Sequence, residues 1–174
     1  MYKPLLVIAV LLFSMFSAQA NEIPGIVAAH SQARAQVNLP PLKWSPALAQ
    51  YAQQWANQLA SKNCQMQHRP NSGQFKQNYG ENLYWASAVM WPDGRREVQK
   101  ITAADAVKSW VDEKQFYNYK SNQCSPGKIC GHYTQVVWRP TTQVGCAIAM
   151  CPNKEQVWVC NYNPPGNYVG QRPY

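Results

Sequence analysis

Residues 131–162 read GHYTQVVWRPTTQVGCAIAMCPNKEQVWVCNY, and this stretch decides the fold class. His132, Thr134, Val136 and Trp138 alternate with Tyr133, Gln135 and Val137, and residues 144–150 and 156–162 continue in the same β-forming character. A period of two sends successive side chains to opposite faces of a strand, and Pro152-Asn153-Lys154-Glu155 is turn chemistry. An antiparallel meander of three strands is therefore predicted. Cys146 and Cys160 fall on facing strands near one level, which favours a bridge between them.

Upstream the period changes to that of helices. One is predicted over 24–37, with Ile26, Val27, Ala33 and Val37 on its apolar side. A second begins at Ser45 as N-cap with Pro46 in the first helical position, and its stripe is Leu48, Tyr51, Ala52, Trp55 and Leu59. A third begins at Thr102, with Asp105 favouring the first turn and Ala106, Val107, Trp110 and Val111 as its buried side. Helices first and strands afterwards argue for a layered α+β fold rather than alternating βαβ units.

Residues 1–20 stand apart. Lys3 precedes an apolar run from Leu5 to Phe16, broken only by Ser14, and Ala18-Gln19-Ala20 has the small-x-small spacing that a signal peptidase reads. A signal peptide cleaved before Asn21 is expected. The run is shorter than the ~20 residues a bilayer-spanning helix needs, and no other stretch is apolar enough to cross a membrane. The expectation is one exported domain over 21–174, a monomer, in the medium or in a periplasm. The compact leader fits a bacterial source, although a eukaryotic secretory signal would look similar.

All six cysteines (Cys64, Cys124, Cys130, Cys146, Cys151 and Cys160) lie beyond that leader, and an even count in an exported chain reads as disulfides. No paired Cys-x-x-Cys knuckles suggest a metal cluster. Many connectivities remain open to six cysteines. Cys124 and Cys130 enclose a turn-rich loop short enough to close locally, and a Cys146–Cys160 bridge would leave Cys64 for Cys151. Without Lys3 the 16 basic and 8 acidic side chains become 15 and 8, a formal +7. Such a surface suits anionic partners, a membrane or cell-wall polymer among them. The Lys and Arg are scattered with no recognition motif, so nucleic acid is not expected.

There are three histidines. His30 lies mid-helix one turn before Arg34 and reads as structural. His68 is placed at the end of the second helix, in Cys-Gln-Met-Gln-His, and His132 at the start of a strand beside the small disulfide loop. Acidic residues are scarce, so their placement carries information. Glu81 lies in the turn-like Tyr-Gly-Glu-Asn-Leu, and Glu113 on the flank of the third helix's buried stripe. A carboxylate beside apolar groups needs a partner. Spacing alone leaves open whether those partners are the histidines or surface Lys and Arg.

Gly131-His132-Tyr133-Thr134-Gln135-Val136-Val137-Trp138 resembles the signature strand of the CAP superfamily, and Cys160-Asn161-Tyr162-Asn163-Pro164-Pro165-Gly166-Asn167 resembles its second signature. Tyr79-Gly80-Glu81-Asn82-Leu83, Trp110-Val111-Asp112-Glu113 and His30-x-x-x-Arg34 match further, and the cysteine spacing is similar to that of the plant pathogenesis-related-1 branch. The likeness runs over 24–168. It implies a three-layer α-β-α sandwich with a central antiparallel sheet, stabilised by disulfides, and a cleft lined by His68, Glu81, Glu113 and His132. In this family the tetrad is able to hold a divalent metal, often zinc, mainly through the imidazoles. Two neutral imidazoles completed by carboxylates or water are zinc chemistry, although an open site with two strong ligands binds weakly.

One departure bears on activity. Where the family commonly has serine after the first cleft histidine, this chain has Arg69. A Ser/His/Glu hydrolase loses its nucleophile there, and the cleft edge gains positive charge. The resemblance implies a secreted binding or effector protein for a sterol, a fatty acid or another hydrophobic molecule. Tyr84-Trp85 to Trp91 and Phe116-Tyr117-Asn118-Tyr119 offer the aromatic surface a lipid groove would need. The alternative is a metal-assisted or His/Glu-based, protease-like hydrolase with His68, Glu81, Glu113 and His132 as its acid–base residues. With Arg69 in place, binding takes precedence over catalysis.

Overall fold

A computed structural model describes residues 20–174; the leader over 1–19 lies outside the described residues. The elements run α1 (Ile26–Ala35), β1 (Lys43–Trp44), α2 (Pro46–Ser61), β2 (Gly80–Ala86), the two-residue ribbon β3 (Val89–Met90) and β4 (Arg96–Glu97), and α3 (Ala103–Val111). A 3-10 turn (Asp112–Phe116) leads to a second ribbon, β5 (Tyr117–Asn118) and β6 (Gln123–Cys124), then to α4 (Gly131–Val136), β7 (Gln143–Met150) and β8 (Gln156–Asn163).

Local signals start the helices as expected. The Ser45 hydroxyl accepts from Leu48 N at the head of α2. Thr102 and Asp105 form a reciprocal capping box at the head of α3, satisfying two amides that no helical carbonyl reaches. The central sheet has the order β1-β7-β8-β2, with β7–β8 and β8–β2 antiparallel. β1 pairs parallel to β7, so the sheet is mixed at that edge rather than wholly antiparallel.

The strands are buried on both faces, and their alternation sorts the core into two. Val144, Cys146, Trp158, Cys160 and Tyr162 face α1, α3 and α4, where they meet Ile26, Val107, Trp110 and Val136. Ala147, Ala149, Val157 and Val159 face α2, meeting Ala52, Trp55, Ala56 and Leu59. This is the three-layer α-β-α order. α2 seats so closely on β7 that a Cβ at Gly145 would stand 2.2 Å from Ala49 N and 2.5 Å from the Ser45 carbonyl. Disulfides join Cys64 to Cys151, Cys124 to Cys130, and Cys146 to Cys160, the last between directly paired positions of β7 and β8.

Three expectations need correction. Residues 132–138 are not a strand: Gly131–Val136 is α4, whose buried Tyr133, Val136 and Val137 follow helical spacing. Its first amides are capped by Glu113, a residue far upstream that alternation within the segment cannot reveal. The residues around Glu81 are not a turn but β2, hydrogen-bonded along its length to β8. α2 ends at Ser61, before His68, because Asn63 and Cys64 adopt left-handed backbone (φ 54° and 55°) and turn the chain out of the helix.

A cleft of two histidine–glutamate pairs

Four chain segments converge at one end of the sheet. The loop tied down by Cys64–Cys151 carries His68, β2 carries Glu81, the 3-10 turn carries Glu113, and α4 carries His132. His68 Nδ1 lies 2.7 Å from Glu81 Oε1, and His132 Nδ1 lies 2.6 Å from Glu113 Oε1. The two imidazoles face each other with centroids 6.5 Å apart and planes inclined by 29°.

Each carboxylate is fixed by more than its histidine. Glu81 also accepts from Arg69 N at 3.1 Å, and its side chain is 2% exposed beside a His68 that is 59% exposed. Glu113 Oε2 accepts from His132 N at 3.0 Å and Tyr133 N at 3.2 Å, which makes the carboxylate the N-terminal cap of α4. Because an ionised carboxylate only accepts, both imidazoles place a hydrogen on Nδ1, and in the neutral ring Nε2 is the nitrogen with the lone pair. Neither Nε2 has a partner in the protein among the described residues. The carboxylates therefore stand behind the imidazoles and orient them, as outer partners do for metal-binding histidines. Among the described residues no group of three or more His, Cys, Asp or Glu is arranged around a common point for a metal. The donor set fits two imidazoles with open positions rather than a four-ligand centre.

Arg69 does not face the cleft. It is buried, its guanidinium 3.6 Å from the centroid of the Tyr51 ring and hydrogen-bonded to the Tyr51 carbonyl, with Trp55 beyond. Burial pulls its pKa down from the usual arginine value. The charge expected at the cleft edge lies instead against α2.

Sequence reasoning missed a buried relay beneath the cleft. His30 Nδ1 donates to the Ile26 carbonyl (2.7 Å), which leaves His30 Nε2 to accept from the Tyr162 hydroxyl (2.9 Å). Asn82 Nδ2 donates to that hydroxyl and to the His132 carbonyl. His30 is structural, as its place in α1 suggested, yet it supports the segment that carries His132.

The second feature missed is a groove of about 850 Å³ between α1 and α3. Ala29, Ala33, Val107 and Val111 form its apolar wall, and Lys108 and Lys114 stand at the rim. The stripes read from the sequence contain Ala33, Val107 and Val111 but not Ala29, and only the pairing of the two helices leaves a space between them. Neither aromatic stretch of the sequence lines this groove; Phe116, Tyr117 and Tyr119 border a separate, smaller depression.

An α-β-α sandwich whose sheet end bears two histidines, each backed by a glutamate, defines a recognisable class of disulfide-bonded domain. Residues 27–162 match the CAP family, described as the cysteine-rich secretory protein family, and the chain belongs to it. It is 49% identical over 143 residues to pathogenesis-related protein PR-1 of Medicago truncatula, covering 82% of this chain and 73% of the relative. It is 46% identical over 173 residues to pathogenesis-related protein 1A of Nicotiana tabacum, covering 98% and 93%. Among solved structures, venom allergen-like protein 4 of Schistosoma mansoni superposes with a TM-score of 0.63 at 30% identity, covering 86% of this chain and 91% of that one. These curated relatives are plant proteins, which gives a bacterial source no support.

Proposed function

We propose that the protein is a secreted binding protein that carries a long-chain fatty acid in the groove between α1 and α3. The observation that carries this is the groove itself. Its volume lies within the range of small-molecule sites, alanines and valines of both helices line it beside Gln32, Gln36 and Gln115, and Lys108, Asp112 and Lys114 charge its rim. Lys108 is held by Asp112 at 2.6 Å, whereas Lys114 forms no ion pair among the described residues and would meet a carboxylate. A cysteine-rich secretory family and relatives named pathogenesis-related support export and a role between host and microbe.

The test is retention of radiolabelled palmitate by the delipidated protein, with cholesterol in parallel. Wild type is expected to hold palmitate above a denatured control. Ala29→Trp, which fills the groove from α1, should lower retention by about tenfold. Lys114→Glu should weaken palmitate and leave any cholesterol binding unchanged. Palmitate retention no greater than the control would defeat the proposal, and retention of cholesterol alone would replace the fatty acid with a sterol.

A second reading concerns the cleft, because two imidazoles present free Nε2 atoms there with carboxylates fixed behind them. His68 and His132 would hold a divalent cation, zinc first, with Glu81 and Glu113 keeping both rings in the metal-binding tautomer. Zinc so held would supply a Lewis acid and so the metal-assisted route to hydrolysis. The protein's own part is to orient the two rings and leave the remaining positions open. Calorimetric titration of zinc should give heats for wild type that vanish in a His68→Ala/His132→Ala double variant. Equal heats would remove the site.

A further inference from the structure

The aromatic stretch 84–91 takes no part in the groove, and its exposure calls for another role. Trp85, Val89, Trp91 and Val98 are each about two-fifths exposed and Met90 is 60% exposed, so five large apolar side chains face water within one short segment. That segment is anchored at both ends to the same end of the sheet. Ala86 pairs with Gln156 of β8, and the Gln156 side chain donates to the Gln99 carbonyl. Between these anchors the chain forms the β3–β4 ribbon, closed by the turn Trp91-Pro92-Asp93-Gly94-Arg95. Met150, 46% exposed, lies on the same sheet end, opposite Gln156. Clustered exposed apolar side chains of this size mark a contact surface.

The charges around the ribbon choose the partner. Of the acids at the ribbon, Asp93 and Glu97 share the single cation Arg95, and Glu155 accepts from the Trp85 indole N–H. Arg96, Lys100 and Lys154 form no ion pair among the described residues, so four cations stand against three acids here, and the whole chain carries a formal +8. Two exposed tryptophans and a methionine at this end of the sheet, with a surplus of cations beside them, match the interface of an anionic bilayer. Indoles settle there at headgroup depth, and each cation adds attraction to acidic lipid.

We infer that the β3–β4 ribbon is a docking surface for anionic lipid membranes, which it enters through Met90 and Trp91 while Arg96 and Lys100 meet headgroups. The surface lies outside the groove between α1 and α3, so it stands or falls independently of fatty-acid binding.

The test is co-sedimentation with phosphatidylcholine vesicles, with and without about one-third phosphatidylglycerol. It uses the chain from Asn21 onward, which carries every element described above and lacks the apolar leader that would itself bind lipid. Wild type should sediment with the anionic vesicles, less so at high salt and weakly with phosphatidylcholine alone. Its tryptophan emission should be quenched by brominated acyl chains. Met90→Ser/Trp91→Ser and Arg96→Glu/Lys100→Glu should each lower partitioning by about tenfold or more with unchanged thermal unfolding, since all four side chains are exposed. Palmitate retention measured on the same variants should stay at the wild-type level. Absence of wild-type binding to anionic vesicles, or equal binding by both variants, would overturn the proposal. Binding of soluble protein partners through the ribbon without vesicle binding would also overturn it.

Discussion

Replacing Arg34 with methionine is expected to remove about 4 kcal/mol of stability, most of what a domain of this size has to lose. The guanidinium is fully buried and has no carboxylate partner among the described residues. It donates instead to four backbone carbonyls: Pro40 (2.8 Å), Val136 (3.1 Å), Trp138 (2.9 Å) and Thr141 (3.1 Å). Those carbonyls belong to the chain leaving α1, the end of α4 and the turn into β7, so one side chain ties three segments together. Carbonyls at the end of a helix favour a cation, which adds to the effect at Val136. Burial lowers the Arg34 pKa to about 10, yet the group remains charged at neutral pH. Methionine fills most of the space and leaves the carbonyls without donors, each at a cost of roughly 1–3 kcal/mol, offset in part by the relief of a desolvated charge. Urea unfolding at fixed pH measures the difference, and a loss below about 1 kcal/mol would show that water replaces the guanidinium.

The second large effect is acid lability from His30. Burial, reinforced by the neighbouring Arg34 charge, lowers its pKa from 6.5 to about 4. In the unfolded chain the imidazole takes a proton near pH 6.5, whereas the folded protein resists until about pH 4. Between these values the unfolded state binds more protons, so stability is complete above pH 6.5, falls as the pH drops, and levels off below about 4. The full depression corresponds to about 3 kcal/mol. Unfolding free energies at pH 7, 5.5 and 4 for wild type and His30→Gln test it. Whatever the variant's stability at pH 7, its slope across this window should be much shallower. Equal slopes would assign the acid sensitivity to other groups.

Both residues were visible in the sequence only as His30-x-x-x-Arg34, one turn apart on a helix. Apart from the local Ile26 and Pro40 carbonyls, their carbonyl and hydroxyl partners lie more than a hundred residues away, in α4, the turn before β7, and β8. The spacing therefore showed a shared face and not what that face touches. The cleft has the same history. Residue types and family likeness named His68, Glu81, Glu113 and His132, while spacing left their partners open between histidines and surface cations. Only the fold brings two Glu carboxylates to Nδ1 atoms and leaves both Nε2 atoms without a hydrogen-bond partner among the described residues.

Some of the fold depends on neighbours a few residues apart, and that part was determined by the sequence itself. Ser45-Pro46 starts α2, Thr102 and Asp105 start α3, and the alternation over 144–150 and 156–162 gives β7 and β8. Other features depend on a distant group and were decided by the tertiary structure alone. GHYTQVVW, inside the stretch that otherwise reads as a meander, is helical because Glu113 caps its first amides and its buried face meets α1 and α3. β2 is a strand because β8 supplies its hydrogen bonds. The groove exists because α1 and α3 leave space between them, and the ribbon's tryptophans stay exposed because no element covers them. Period and capping act within a turn or two of the chain. Hydrogen bonds and packing between remote segments follow only once the chain has closed on itself.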